Sequence, residues 1–102
     1  MTIGRVLDAD TIFYRVSGGE AGRVARFMTR TRPANVKEAI EKLALDRGWG
    51  NEAVFLEEVH VPKGTVIWEG IAAKQGALSG GGSQVWISKE QLSERWFQYI
   101  NW

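Results

Sequence analysis

Three consecutive glycines, Gly80-Gly81-Gly82, run directly into Ser83-Gln84-Val85-Trp86-Ile87. No other stretch limits the chain so tightly. A glycine run costs backbone entropy, so a small domain keeps one where a turn needs positive φ or where a ligand must approach the main chain closely. Val85, Trp86 and Ile87 have the β-branched and aromatic character of a buried strand. Gln84 is then expected at the entrance of that strand, its amide facing whatever occupies the glycine loop. A few placed polar groups in an apolar cleft are how small-molecule sites are built. The plain alternative is a flexible hairpin loop with an edge glutamine.

At 102 residues, with 44% apolar and 25% charged side chains, the sequence describes one globular domain, residues 1–102, with a single core. It has no cysteine and a single histidine, His60. Disulfides, a thiol nucleophile and a thiolate metal site are therefore excluded, a zinc site would need an unusual carboxylate set, and no metal is expected. No signal peptide or apolar run of membrane-spanning length is present, so membrane insertion by this domain is not expected.

The net charge is only +1, yet Thr11 to Pro33 carries five arginines (Arg15, Arg23, Arg26, Arg30 and Arg32) against the single Glu20. Arginine suits a planar grip on phosphate or carboxylate. Nucleic-acid-binding domains are usually more basic overall than this one, whose pI is near 8.1. A compact polyphosphate ligand fits the pattern better than a nucleic acid, and Arg30 and Arg32 have a solvated basic face as their simpler explanation.

Along the chain, Thr11 to Ser17 reads as a strand with Arg15 inside it, ended by Gly18-Gly19. Arg26 to Thr29 reads as a second, short extended piece. Asn35 is an N-cap, with Glu38 completing a capping box. The helix that follows has Ala39, Ile40, Leu43 and Ala44 as its apolar stripe and Gly48 as its close, and it reads as scaffold. Ala53 to Val61 and Thr65 to Ala72 are two strands joined at Pro62-Lys63-Gly64. Phe55, Glu57, Val59 and Val61 fall on one face of the first strand; Leu56, Glu58 and His60 fall on the other. His60 is thereby read as structural or at an edge. Glu69 reads as a surface strand carboxylate, with a general acid or base as the sharper alternative. Ser88 and Gln91 are candidate caps for one or two helical turns, and the aromatic tail from Arg95 to Trp102 is expected to pack back as a last strand or helix. The layout is α+β: a small, mostly antiparallel twisted sheet with one main helix.

Three segments in this order carry a family resemblance: Tyr14-Arg15-Val16-Ser17-Gly18, Gly22-Arg23-Val24-Ala25-Arg26-Phe27-Met28-Thr29, and Gly70-Ile71-Ala72-Ala73-Lys74-Gln75-Gly76 through Gly80-Gly81-Gly82-Ser83-Gln84. They resemble the first-strand arginine, the glycine–arginine–aromatic–hydroxyl segment and the closing glycine-triplet–glutamine motif of the NAD-degrading toxin domains of bacterial polymorphic toxins. The resemblance is in particular to the tuberculosis necrotizing toxin group, and these domains are distant relatives of the ADP-ribosyltransferases. The likeness spans residues 14 to 86 but rests on a minority of positions. The chain is shorter than most relatives and lacks recognisable counterparts of some polar residues in the family's middle segment.

The resemblance implies an ADP-ribosyltransferase-like fold and an NAD(P)+ glycohydrolase that releases nicotinamide and ADP-ribose, with NAD or NADP as substrate and no cofactor. It implies Gln84 and Arg15 as catalytic residues, and Arg26, Tyr14, Phe27, Thr29, Gly81, Gly82 and Ser83 as substrate-binding ones. It also implies a cognate immunity protein as partner. The domain would be the C-terminal end of a larger secreted effector, acting in the cytoplasm of a target cell. A glutamine where related transferases place a glutamate argues for hydrolysis. The alternatives are a mono-ADP-ribosyltransferase using Glu69, Glu57 or Glu58, a nuclease toxin, and a binding module without turnover.

Overall fold

In a computed structural model of the protein, residues 3–19, 22, 24–42, 51–71 and 81–102 are described. The strands are β1 (Ile3–Val6), β2 (Thr11–Gly19), β3 (Phe27–Met28), β4 (Asn51–Val61), β5 (Val66–Ile71), β6 (Ser83–Trp86) and β7 (Phe97–Ile100). Helix α1 (Val36–Lys42) lies between β3 and β4, and a short 3-10 turn, Glu94–Trp96, precedes β7. They form two sheets, ordered β1-β5-β6-β3 and β2-β4-β7, rather than the one expected. The pairings are antiparallel. Alternation told each strand it had a buried face, but not which partner would cover it.

The sheets pack face to face. Phe13, Val59, Val61 and Phe97 from the three-stranded sheet meet Met28, Ile67 and Val85 from the four-stranded one, with Leu7 and Ile87 completing this core. On the other face of the three-stranded sheet, Val16 and Leu56 pack with Ala39 of α1, joined by Tyr14, Val36, Ile40 and Ile100. The order of layers is therefore sheet, sheet, helix. At its start, α1 is capped as anticipated: Asn35 Oδ1 accepts from Glu38 N at 2.8 Å. The Glu38 carboxylate reaches one residue further back, to Ala34 N at 3.3 Å. Leu43, Ala44, Gly48 and Ala72 lie outside the described residues.

The strand from Thr11, the short piece at Phe27–Met28, the two strands β4 and β5 joined at Pro62-Lys63-Gly64 and the terminal strand all lie where the sequence placed them. Gly64, with φ of 92°, turns the chain from β4 in the three-stranded sheet to β5 in the four-stranded one. β1 was not anticipated, because all four of its residues are exposed and give no amphipathic signal. Ser88 and Gln91 cap no helix. Gln91 N bonds Ser88 O in a turn, and the Gln91 amide clasps both the N–H and the C=O of Val66. Ser93 caps the 3-10 turn instead, accepting from Arg95 N.

Candidate functional site

β6 divides the anticipated site residues into two groups. Val85 is fully buried, so Ser83 shares its inward-facing side of the strand, while Gln84 and Trp86 project from the opposite side. Gly81, at φ of 85°, bends the chain into this strand. On the inward side, Gly81, Gly82 and Ser83 line a cleft of about 220 Å³ with Thr29, Thr31, Pro33, Glu38 and Ala39. Thr29 and Ser83 share a hydroxyl–hydroxyl hydrogen bond of 3.2 Å, and Arg30 N donates to Ser83 Oγ at 2.9 Å. Four anticipated binding residues thus meet here: Thr29, Gly81, Gly82 and Ser83. Hydroxyls and glycine main chain at one cleft are groups suited to an anion or a sugar.

On the outward side of the same sheet the register sets Phe27 opposite Trp86, Trp86 opposite Trp68, and Trp68 opposite Gly4. Gln84 occupies the next row, opposite Gly70. The guanidinium of Arg26 sits 5.6 Å from the Trp86 ring centroid, a cation–π contact. Gln84, Phe27 and Arg26 therefore share an exposed aromatic surface with Trp68 and Trp86. Trp68 was not singled out from the sequence, and Trp86, expected to be buried with Val85 and Ile87, is only half-buried because alternation turns it away from the core. The alternation of Trp68 with buried Ile67 was the available signal, but it does not tell an exposed site from an ordinary surface.

Arg15 stands apart from both groups. It is 8% exposed, on the face of β2 that meets the other sheet, and its guanidinium is engaged with main chain. Nε and Nη2 donate to Gly22 O at 3.0 and 2.9 Å, and Nη1 donates to Phe27 O at 2.9 Å. Desolvation lowers its pKa, and Glu57, its cross-strand neighbour, opposes that shift. Arg15 thus holds the segment leading into β3, which carries Arg26 and Phe27. Tyr14, half-buried, binds the same segment through its main chain: Tyr14 N donates to Thr29 O and Thr29 N to Tyr14 O, both at 2.7 Å. Arg23, the other candidate in that segment, lies outside the described residues.

The carboxylates weighed as acids are each engaged. Glu57 is fully buried and accepts from the Ser17 hydroxyl. Its position among Phe55, Val59 and Val61 was legible in the alternation of β4, though not its partner. Glu69 is bound by Arg30, with Arg5 at 4.0 Å. The hydrogen bond from Arg30 holds the Glu69 carboxyl below its ordinary pKa and raises that of Arg30. Glu58 lies 3.1 Å from His60 Nε2 on the exposed face of β4. His60 itself borders a shallow groove of about 500 Å³ with Pro62 and Trp96, on the sheet that does not contain β6.

No family model matches the chain, and no curated protein matches its sequence. Two solved structures share its fold. One is the structure of Tne2 in complex with Tni2, with a TM-score of 0.73 and 14% identity over 99% of this chain and 88% of that one. The other is Rhs1-CT in complex with its cognate immunity protein RhsI1, with a TM-score of 0.67 and 19% identity over 98% of this chain and 77% of that one. At these identities the likeness is one of fold.

Proposed function

We propose that the chain is an NAD(P)+ glycohydrolase toxin domain that splits the nicotinamide N-glycosidic bond. The observation that carries this reading is the N-terminal end of β6. Gly81, Gly82 and Ser83 face the cleft there, and the next side chain, Gln84, stands exposed on the other side of the strand. A dinucleotide straddling that strand end sets its diphosphate against glycine N–H groups and hydroxyls, and its ribose beside an amide. The ordered motif resemblance and the fold shared with Rhs1-CT, a chain solved with its immunity protein, support the same reading.

The reaction asks little of acid–base chemistry. The bond from C1′ to the pyridinium nitrogen breaks with its electron pair passing into the ring, which leaves as neutral nicotinamide. Water adds to C1′ and gives up a proton, leaving ADP-ribose. Catalysis is then mostly positioning, holding the diphosphate and orienting ribose and water. Gln84 supplies a neutral donor and acceptor for the water or the ribose hydroxyls. Arg26, over Trp86 on the outward side, offers a cation to a phosphate that reaches that side of the strand. Arg15 acts as a positioning residue through the carbonyls of Gly22 and Phe27. No cofactor enters this scheme, and NAD or NADP is the substrate.

A cognate immunity protein is the proposed protein partner, and the cytoplasm of a target cell is the proposed place of action after delivery as part of a secreted effector. The test is a NAD-consumption assay following nicotinamide and ADP-ribose separately, with Gln84→Ala as control. Equimolar release of both, lost in the variant, is the expected result. Nicotinamide without free ADP-ribose in the presence of lysate would indicate transfer to a macromolecule, and no consumption of NAD or NADP by folded protein would overturn the reading.

A further inference from the structure

Trp68 is laid flat on its sheet, and Gly4 is what allows it. A Cβ built on Gly4 would lie 2.5, 2.8 and 2.9 Å from three consecutive atoms of the Trp68 six-membered ring. Distances this similar mean that the ring meets Gly4 with its face; an edge-on ring would leave the two flanking atoms much farther than the nearest. The indole thus lies across β1 with one face on glycine main chain. It remains 41% exposed, so its other face is turned to solvent. A large aromatic ring held flat with an open face is an arrangement for stacking, not for core packing.

The surroundings specify the ring that would stack. Gly70, two residues along β5 on the same side, stands opposite Gln84 and contributes no side chain of its own between Gln84 and Trp68. Across the ladder from Trp68, Trp86 carries the Arg26 guanidinium. The residues paired into this surface, Gly4, Trp68, Trp86, Phe27, Gly70 and Gln84, include no carboxylate. An electron-rich indole face attracts an electron-poor or cationic ring. The Arg26 guanidinium, over Trp86 on the neighbouring strand, attracts phosphate, and the exposed Gln84 side chain on that strand can pair with a carboxamide.

We infer that Trp68, laid over Gly4, is the stacking subsite for the pyridinium ring of a nicotinamide nucleotide, with Arg26 taking its phosphate and Gln84 flanking the ring. This rests on the proposed glycohydrolase reading and adds to it the residue that binds the leaving ring.

The subsite is tested apart from turnover by titrating nicotinamide mononucleotide into 15N-labelled protein and following the indole N–H signals. Adenosine monophosphate, with a neutral purine, is the comparison ligand. The expected result is a shift of the Trp68 signal by the pyridinium nucleotide, with at least fivefold weaker binding of the purine one. Trp68→Leu and Gly4→Ala, both at exposed positions, are expected to weaken pyridinium binding at least fivefold while leaving Tm nearly unchanged. The alanine methyl at position 4 lifts the ring without removing it. No shift at Trp68, equal binding by Trp68→Leu, or equal binding of the purine nucleotide would overturn the inference. Binding as expected by a protein that consumes no NAD or NADP would sustain the subsite and remove the hydrolase. NAD consumption with unchanged KM in Trp68→Leu would do the reverse.

Discussion

Replacing Arg15 by alanine removes three charged hydrogen bonds at once and leaves the carbonyls of Gly22 and Phe27 without their donor. It also takes away the cation facing Glu57, which has no exposure of its own. Hydrogen bonds to charged groups contribute about 1.5–3 kcal/mol each. They do not add here, because the released carbonyls are only part-buried and recover water. Breaking one side of a buried charged arrangement costs ~3–5 kcal/mol, and the lower end applies. For a domain of this size, about 3 kcal/mol corresponds to a fall in Tm of roughly 15 °C. Arg15→Lys keeps the charge opposite Glu57 but cannot reach two carbonyls with a planar fork, so it recovers less than half of the loss. The assay is thermal and urea unfolding of the three proteins side by side. A Tm for Arg15→Ala within a degree or two of the parent would refute the reasoning and leave Arg15 with the catalytic role that the resemblance implies.

Gln84→Ala provides the contrast: its side chain is exposed and at the proposed ribose position, so NAD consumption should disappear while the unfolding midpoint stays put. Glu69 has a depressed pKa in the folded state, so the stability it contributes is present above the ordinary carboxylate pKa and is lost as pH falls through the lower folded value. Urea midpoints taken across that acid range should fall more steeply for the parent than for Glu69→Gln, by no more than about 1 kcal/mol because Arg30 is partly solvent-exposed. Asn35→Ala removes the side-chain cap of a seven-residue helix and should cost about 1 kcal/mol, read as a Tm drop of several degrees with the β core unchanged.

What the sequence disclosed was local. The start of α1 at Asn35, the turn at Gly64, and the burial of Val85 and Ile87 each follow from chemistry within a few residues. What it withheld depends on partners far along the chain. Main-chain carbonyls at Gly22 and Phe27 take the donors of Arg15, and carbonyls leave no mark in a sequence. Ser83 and Gln84 looked like one site because they are adjacent, yet strand alternation sends them to opposite faces. Trp68 depends on a glycine 64 positions away, brought beneath it only by the β1–β5 register. The division into two sheets is of the same kind, since short strands with similar alternation carry no address for their neighbours.

The strand orders carry a consequence for the time at which the domain comes into being. β1 waits for β5, β3 waits for β6, and β4 gains its second neighbour only when β7 arrives. A chain emerging from the ribosome can close the β2–β4 pair early, but the face bearing Gln84 and the tryptophans needs residues 3 and 86 together. Long-range antiparallel closure of this sort is slow and comes late. The outward face of the four-stranded sheet is thereby among the last parts of the domain to assemble.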